Sequence, residues 1–187
     1  MTRREALRGA AFFALVFVVA LAGVWAGQEL RRWRAPAAGT GPGAEIDSDL
    51  VAGAPFPAVT VLEPDGTPRD TAELTAGGAL VLFLRSDCPA CGLTVDRWRR
   101  EIASGDLAGV LVMGITTDPP AIAAAYRSAE SIPFPIYSDP QHVFVERHGV
   151  TAVPFVVAVA PGGRIGDRLV GHREDADLKG LGRLVSE

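Results

Sequence analysis

Residues 79–93 read ALVLFLRSDCPACGL, and the architecture follows from that stretch. Leu80–Leu84 is a short, unbroken apolar run, the pattern of a central strand covered on both faces. It stops at Arg85-Ser86-Asp87, where Ser86 or Asp87 can cap a helix predicted to start at Cys88. In that helix Cys91, Val95, Trp98 and Ile102 share one face, while Arg97, Arg99, Arg100 and Glu101 fall mostly elsewhere. Cys88-Pro89-Ala90-Cys91 therefore occupies the first turn of a helix that follows a buried strand. Unpaired N–H groups and the helix dipole favour a thiolate at Cys88. Cys91, one turn deeper on the buried face, is placed to resolve a mixed disulfide formed by Cys88. Pro89 is tolerated in the first turn, where its missing N–H would have had no partner. One cysteine could be simple core filling, but two at this spacing on a strand–helix junction point to a redox couple.

Working outward, Ala58–Leu62 alternates weakly and meets Pro64-Asp65-Gly66, a turn signal that predicts a short hairpin. Downstream, Val110–Ile115 is a second apolar strand, and Asp118 with Pro119 predicts a helix through Ala129. Phe134–Tyr137 reads as a short strand, and Ser138-Asp139-Pro140 opens a helix that Gly149 closes after His148. Phe155–Ala160 and Ile165–Val170 flank Pro161-Gly162-Gly163 as a β-hairpin, and Ala176–Val185 is a terminal amphipathic helix. Strands alternating with helices and ending in a hairpin define an α/β fold, a mixed central sheet flanked by helices.

Composition narrows the function. The chain has 187 residues, 48% hydrophobic, and carries a net charge of -4 with no long basic run, so nucleic acid is not an expected partner. Both of its two cysteines lie in the one C-x-x-C, which excludes a disulfide-dense scaffold and a four-cysteine zinc site. No cofactor and no metal is implied. His142, His148 and His172 are read as surface or helix-end side chains, because no pair of them has a spacing suited to sharing an ion.

From Gly9 to Gln28 no residue is charged, and twenty helical residues rise about 30 Å, the thickness of a bilayer's hydrocarbon core. Arg3, Arg4 and Arg8 precede this run; Arg31, Arg32 and Arg34 follow it, with Trp25 and Trp33 at interfacial depth. The expected organisation is a cytoplasmic tail over 1–8, a transmembrane anchor over 9–28, a flexible linker over 29–53 and a folded domain over 54–187. A cleaved signal peptide is the rival reading, since Ala20-Leu21-Ala22 suits a cleavage site. The apolar run continues past that site into a basic flank, which favours the anchor. A short tail ahead of a long domain orients the domain outward, because large domains translocate largely regardless of charge.

Three segments together carry a resemblance: APFPAVTVLEPDGTPRDTAEL over 54–74, ALVLFLRSDCPACGL over 79–93, and FPIYSDPQHVFVERHGVTAVPFVVAVAPGGRI over 134–165. They resemble the thioredoxin-like, membrane-anchored thiol–disulfide oxidoreductases of the TlpA/ResA type, relatives of the cytochrome c maturation proteins. The resemblance runs from about Ala54 to Val185 and implies a thioredoxin-like fold preceded by one transmembrane helix. It also implies protein thiols and disulfides as substrates, a membrane electron donor, and a periplasmic setting. Val153-Pro154 matches that family's cis-proline, which faces the disulfide and presents the Val153 backbone to a substrate strand; read alone, the dipeptide leaves cis and trans open. The site residues implied are thus Cys88, Cys91 and Pro154. This chain departs from the pattern at Asp87, where relatives carry Trp, and at Leu82 and Thr94, where relatives place a buried acid.

Two competing functions use the same cysteines. A peroxiredoxin-like peroxidase wants a threonine three residues before the reactive cysteine, and that position holds Arg85. A tethered copper-binding protein could hold Cu(I) on two thiolates, but no methionine or histidine motif assists nearby. Gly92 after Cys91 excludes a C-x-x-C-H haem attachment site. The reading favoured by the residues is disulfide exchange, and the resemblance implies that it runs in the direction of reduction.

Overall fold

The computed structural model describes residues 46–186. The elements in chain order are β1 (Thr60–Leu62), β2 (Pro68–Asp70), α1 (Thr71–Thr75), β3 (Ala79–Phe83), α2 (Pro89–Ala103), β4 (Val112–Thr116), α3 (Pro120–Ala129), β5 (Ile136–Ser138), α4 (Val143–Glu146), β6 (Phe155–Ala160), β7 (Arg164–Val170) and α5 (Leu178–Leu184). The strands form one sheet in the order β2-β1-β5-β4-β3-β6-β7. β3, β4 and β5 are parallel to one another, while β6, β7, β1 and β2 each join antiparallel to their neighbours. This is the mixed sheet expected from the sequence, with a thioredoxin-like layout.

The period-two alternation of strand side chains divides the core between the two faces of the sheet. On β3, Ala79, Val81 and Phe83 point into one cluster, and Leu80, Leu82 and Leu84 at and beyond its end serve the other. β6 does the same with Phe155, Val157 and Val159 against Val156 and Ala158. Every residue of β3 and of β4 is buried, which is why both read as solid apolar runs. α2, α3 and α5 cover one face through Cys91, Val95, Trp98, Ala123, Leu178 and Leu181. Trp98 meets Phe134 edge-on at 6.5 Å between ring centroids. Burying side chains such as Val95 contributes about 1.5–3 kcal/mol each, so this face fixes the position of α2 and with it the cysteines. The opposite face is covered by α4 and the segment before β1, where Phe144 packs on Phe83 at 4.9 Å.

The expected linker over 29–53 is corrected at its C-terminal end. Ile46 and Leu50 are buried in the core, and Ser48 donates through its hydroxyl to the His148 carbonyl. Gly53 N–H donates to the Ile165 carbonyl, so the chain from Ile46 onward belongs to the folded domain. The expected tail over 1–8 and anchor over 9–28 lie outside the described residues. Among the described residues, no helix is long and apolar enough to cross a membrane.

Smaller differences have local causes. α1 was not legible, because Asp70 ends β2 and also caps the five-residue helix by accepting from Ala72 N–H. Asp118 does not cap α3; its carboxylate accepts from the Ser86 N–H and the Thr116 hydroxyl, and Pro119 takes the cap position. The helix expected after Ser138 shrinks to the four residues of α4, with Asp139 accepting from Phe144 N–H.

Candidate functional site

The helix predicted to begin at Cys88 begins at Pro89, and the capping residue is Cys88 itself. Its sulfur accepts from the Cys91 N–H at 3.2 Å, a bond shared with the Cys88 carbonyl at 3.0 Å. Neither Ser86 nor Asp87 caps α2. Asp87 instead turns to Arg85, whose guanidinium donates to its carboxylate at 2.6 Å, with both side chains exposed.

Cys88 and Cys91 are joined in a disulfide with their Cα atoms 5.2 Å apart. The two sulfurs differ sharply in access. Cys88 is half-buried at the surface, whereas Cys91 is 0% exposed beneath the first turn of α2. An incoming sulfur can therefore reach Cys88 and not Cys91. The Val153–Pro154 peptide is cis, and the Val153 carbonyl lies 3.7 Å from the Cys88 sulfur. Two separate chain segments thus meet at the disulfide: the β3–α2 junction with the first turn of α2, and the loop leading into β6.

The loop is held from behind. Gly171 N–H donates to the Pro154 carbonyl at 2.7 Å, tying the exit of β7 to the entrance of β6. Arg97 of α2 donates to the carbonyls of Arg173 and Ala176, so the segment after β7 is pinned across the helix. That segment carries His172, expected from the sequence to be a surface or helix-end histidine. Its ring is only 16% exposed, and Nδ1 sits 3.0 Å from the hydroxyl of Thr94, one turn past Cys91. His148 is likewise not a free surface group; Nδ1 faces the Asp49 carboxylate at 3.1 Å, and its ring lies against Phe144. His142 sits at the cap position of α4 with a positive φ of 56°. The three histidines stand on separate elements, and no metal-binding cluster occurs among the described residues.

A cleft of about 390 Å³ opens at the C-terminal ends of the parallel strands, lined by Arg85, Asp118, Asp139, His142, Thr151 and Val153 among others. It shares Arg85 and Val153 with the surroundings of the disulfide. A second molecule could rest in it beside the disulfide.

The profile of the AhpC/TSA family matches residues 52–167, more than half of the chain. The chain belongs to the AhpC/TSA family. A Mycobacterium tuberculosis protein provisionally named a peroxiredoxin is 30% identical over 92 residues, which cover 49% of this AhpC/TSA chain and 59% of the relative. The chain thus spans about three fifths of the length of the curated relatives it matches. Among solved structures it resembles a thiol:disulfide interchange protein of Chlorobium tepidum, provisionally named DsbE, with a TM-score of 0.62 and 19% identity, covering 73% of this chain and 97% of that one. It is also similar to the peroxidoxin BcpB of Mycobacterium tuberculosis, with a TM-score of 0.59 and 18% identity over 71% of this chain and 94% of that one. At these identities the structural likenesses speak to the fold, which is thioredoxin-like.

A reachable sulfur at a helix N-terminus, bonded to an unreachable one beneath it, is an arrangement suited to thiol–disulfide exchange. Sequence reasoning missed His172, whose partner Thr94 lies 78 positions earlier. The apolar face of α2 gave no sign that a histidine from the chain's end would close over it.

Proposed function

We infer that this AhpC/TSA chain reduces disulfides of extracytoplasmic proteins through Cys88 and Cys91, held at the membrane by residues 9–28. The observation that carries the reading is the unequal access of the two sulfurs. In the reduced chain the Cys88 thiolate, stabilised by the Cys91 N–H and the helix N-terminus, attacks one sulfur of a client disulfide. A Cys88–client mixed disulfide forms and the client's second sulfur leaves as a thiolate. The Cys91 thiolate then attacks the Cys88 sulfur, releasing the client's first sulfur and leaving the Cys88–Cys91 disulfide. Two electrons have passed to the client, and a membrane electron donor restores the dithiol. The Val153 backbone beside the cis-proline lies close enough to Cys88 to guide an extended client segment. The uncharged run before Glu29 and its arginine flanks support the membrane setting.

The test separates the cysteines. Cys91→Ala should accumulate a mixed disulfide with a client at Cys88, seen as a band shift that reductant abolishes. Cys88→Ala should lose exchange and trap nothing. Trapping by Cys88→Ala alone would reverse the assignment.

Peroxide reduction is a second reading, favoured by the family match and the peroxiredoxin-named relative. There the Cys88 thiolate takes one oxygen from a hydroperoxide, giving an alcohol and a sulfenic acid, and Cys91 condenses with it to the disulfide and water. Consumption of hydrogen peroxide by the dithiol chain, faster than client disulfides are reduced, would favour it.

A further inference from the structure

His172 stands at the far end of a continuous set of polar contacts that finishes on the Cys88 sulfur. The Thr94 hydroxyl lies 3.0 Å from the Ala90 carbonyl and 3.0 Å from His172 Nδ1. A hydroxyl has one proton; with it directed to Ala90 O, the ring nitrogen is the donor. Ala90 C=O and Cys91 N–H belong to the same peptide unit. That N–H donates to Cys88 Sγ at 3.2 Å, so three hydrogen bonds connect the imidazole to the reactive sulfur through Thr94 and one peptide. Thr94 is buried and the ring nearly so, and hydrogen bonds in such surroundings polarise one another.

We propose that His172 is a positioning residue whose protonation strengthens this chain and stabilises the Cys88 thiolate. A ring protonated at Nε2 is a charge-assisted donor at Nδ1, roughly twice as strong as the neutral one. The added pull passes through the Thr94 O–H and the Ala90–Cys91 peptide to the N–H on Cys88 Sγ. Nε2 has room to take the proton, since it faces the Glu174 carboxylate at 4.0 Å, and Glu174 is almost fully exposed. The other charged groups in the neighbourhood are accounted for. Arg97 of α2 is engaged with Glu101 and with the carbonyls of Arg173 and Ala176, and Arg173 pairs with Asp175. Beside Cys88 itself, Arg85 and Asp87 pair with each other. The segment that bears His172 also carries Gly171, which holds the Pro154 carbonyl, so the ring is fixed relative to both sides of the disulfide.

This inference rests on Cys88 being the attacking thiol, and its test does not require turnover of any client. Reduced full-length chain is alkylated with iodoacetamide at pH values from 5 to 8, and modification of Cys88 is counted by mass spectrometry. In the wild type, the rate at the acid end of that range should exceed the extrapolated thiolate line by about two- to threefold, giving a step in the profile. His172→Gln and Thr94→Val should each abolish the step, whereas Thr94→Ser should keep it. A purely structural role for His172 would lower stability without moving the shape of the profile. A wild-type profile without a step, or a step that survives both His172→Gln and Thr94→Val, overturns the proposal. Loss of disulfide exchange with the step intact would instead fault the functional reading and leave this one standing.

Discussion

Asp87 precedes Cys88 directly, and a free carboxylate there would oppose a thiolate by like-charge repulsion. The structure turns it aside into a pair with Arg85 at 2.6 Å, outside the capping position it was expected to fill. Both partners are exposed, so the pair is worth at most about 1 kcal/mol. Its effect on Cys88 is nevertheless directional. Asp87→Asn should shift a thiolate absorbance titration of the reduced chain by little, because the charge it removes is already compensated. Arg85→Ala leaves that charge uncompensated and should move the titration midpoint upward by about half a pH unit, equivalent to about 0.7 kcal/mol. A larger downward shift in Asp87→Asn than upward shift in Arg85→Ala would mean the pair does not shield Cys88. At this scale, local spacing made the cysteine pair legible: a C-x-x-C after an apolar run declares its own geometry. Thr94 shows the limit, since a buried threonine on an apolar helix face gives no hint of a histidine arriving from another element.

Gly149 joins α4 to the loop before β6 and has a φ of +65°, where L side chains are strained. A Cβ there would also collide with the Asp47 carbonyl oxygen, a backbone atom that cannot swing away. Gly149→Ala should therefore loosen the segment from Ile46 to Leu50 as well as α4. We expect a loss of about 2–3 kcal/mol in denaturant unfolding, with faster amide exchange concentrated at Leu50 and Val150. An unchanged unfolding midpoint would show that the segment contributes nothing to stability. Composition cannot show such a contact, and by composition alone the segment reads as linker. Ile46 and Leu50 are its only large buried apolar anchors, set among Asp47, Ser48 and Asp49 and followed by Gly53 and Pro55. Its partners, such as His148, lie about a hundred positions away. Elements with dense apolar patterns, β3, β4, β6 and α2, were legible almost to their ends. Elements secured by polar side chains, α1 and α4, were not, because one Asp at each of them satisfies backbone N–H groups that composition cannot assign.

For the molecule as a whole, the charge-free run from Gly9 to Gln28 makes a prediction that the folded domain does not: alkaline washing of membranes should leave the full-length chain in the pellet. A soluble product starting near Gly23 would establish cleavage in place of anchoring. The layer arrangement was legible because short apolar strand runs alternate with amphipathic helices, the pattern of an α/β fold. The order of the strands was not, since nothing local says that β5 lies between β1 and β4. That order has a consequence for crowding. Among the described residues the outermost strands are β2, reading Pro-Arg-Asp, and β7, with Arg164, Asp167 and Arg168 along it. A proline lacks the donor that a docking strand needs, and the charges along β7 would be stripped of water by a neighbour laid alongside. Both flanks of the sheet are thus poor templates for fibre growth, and neighbouring copies can sit at high local density without knitting into aggregates.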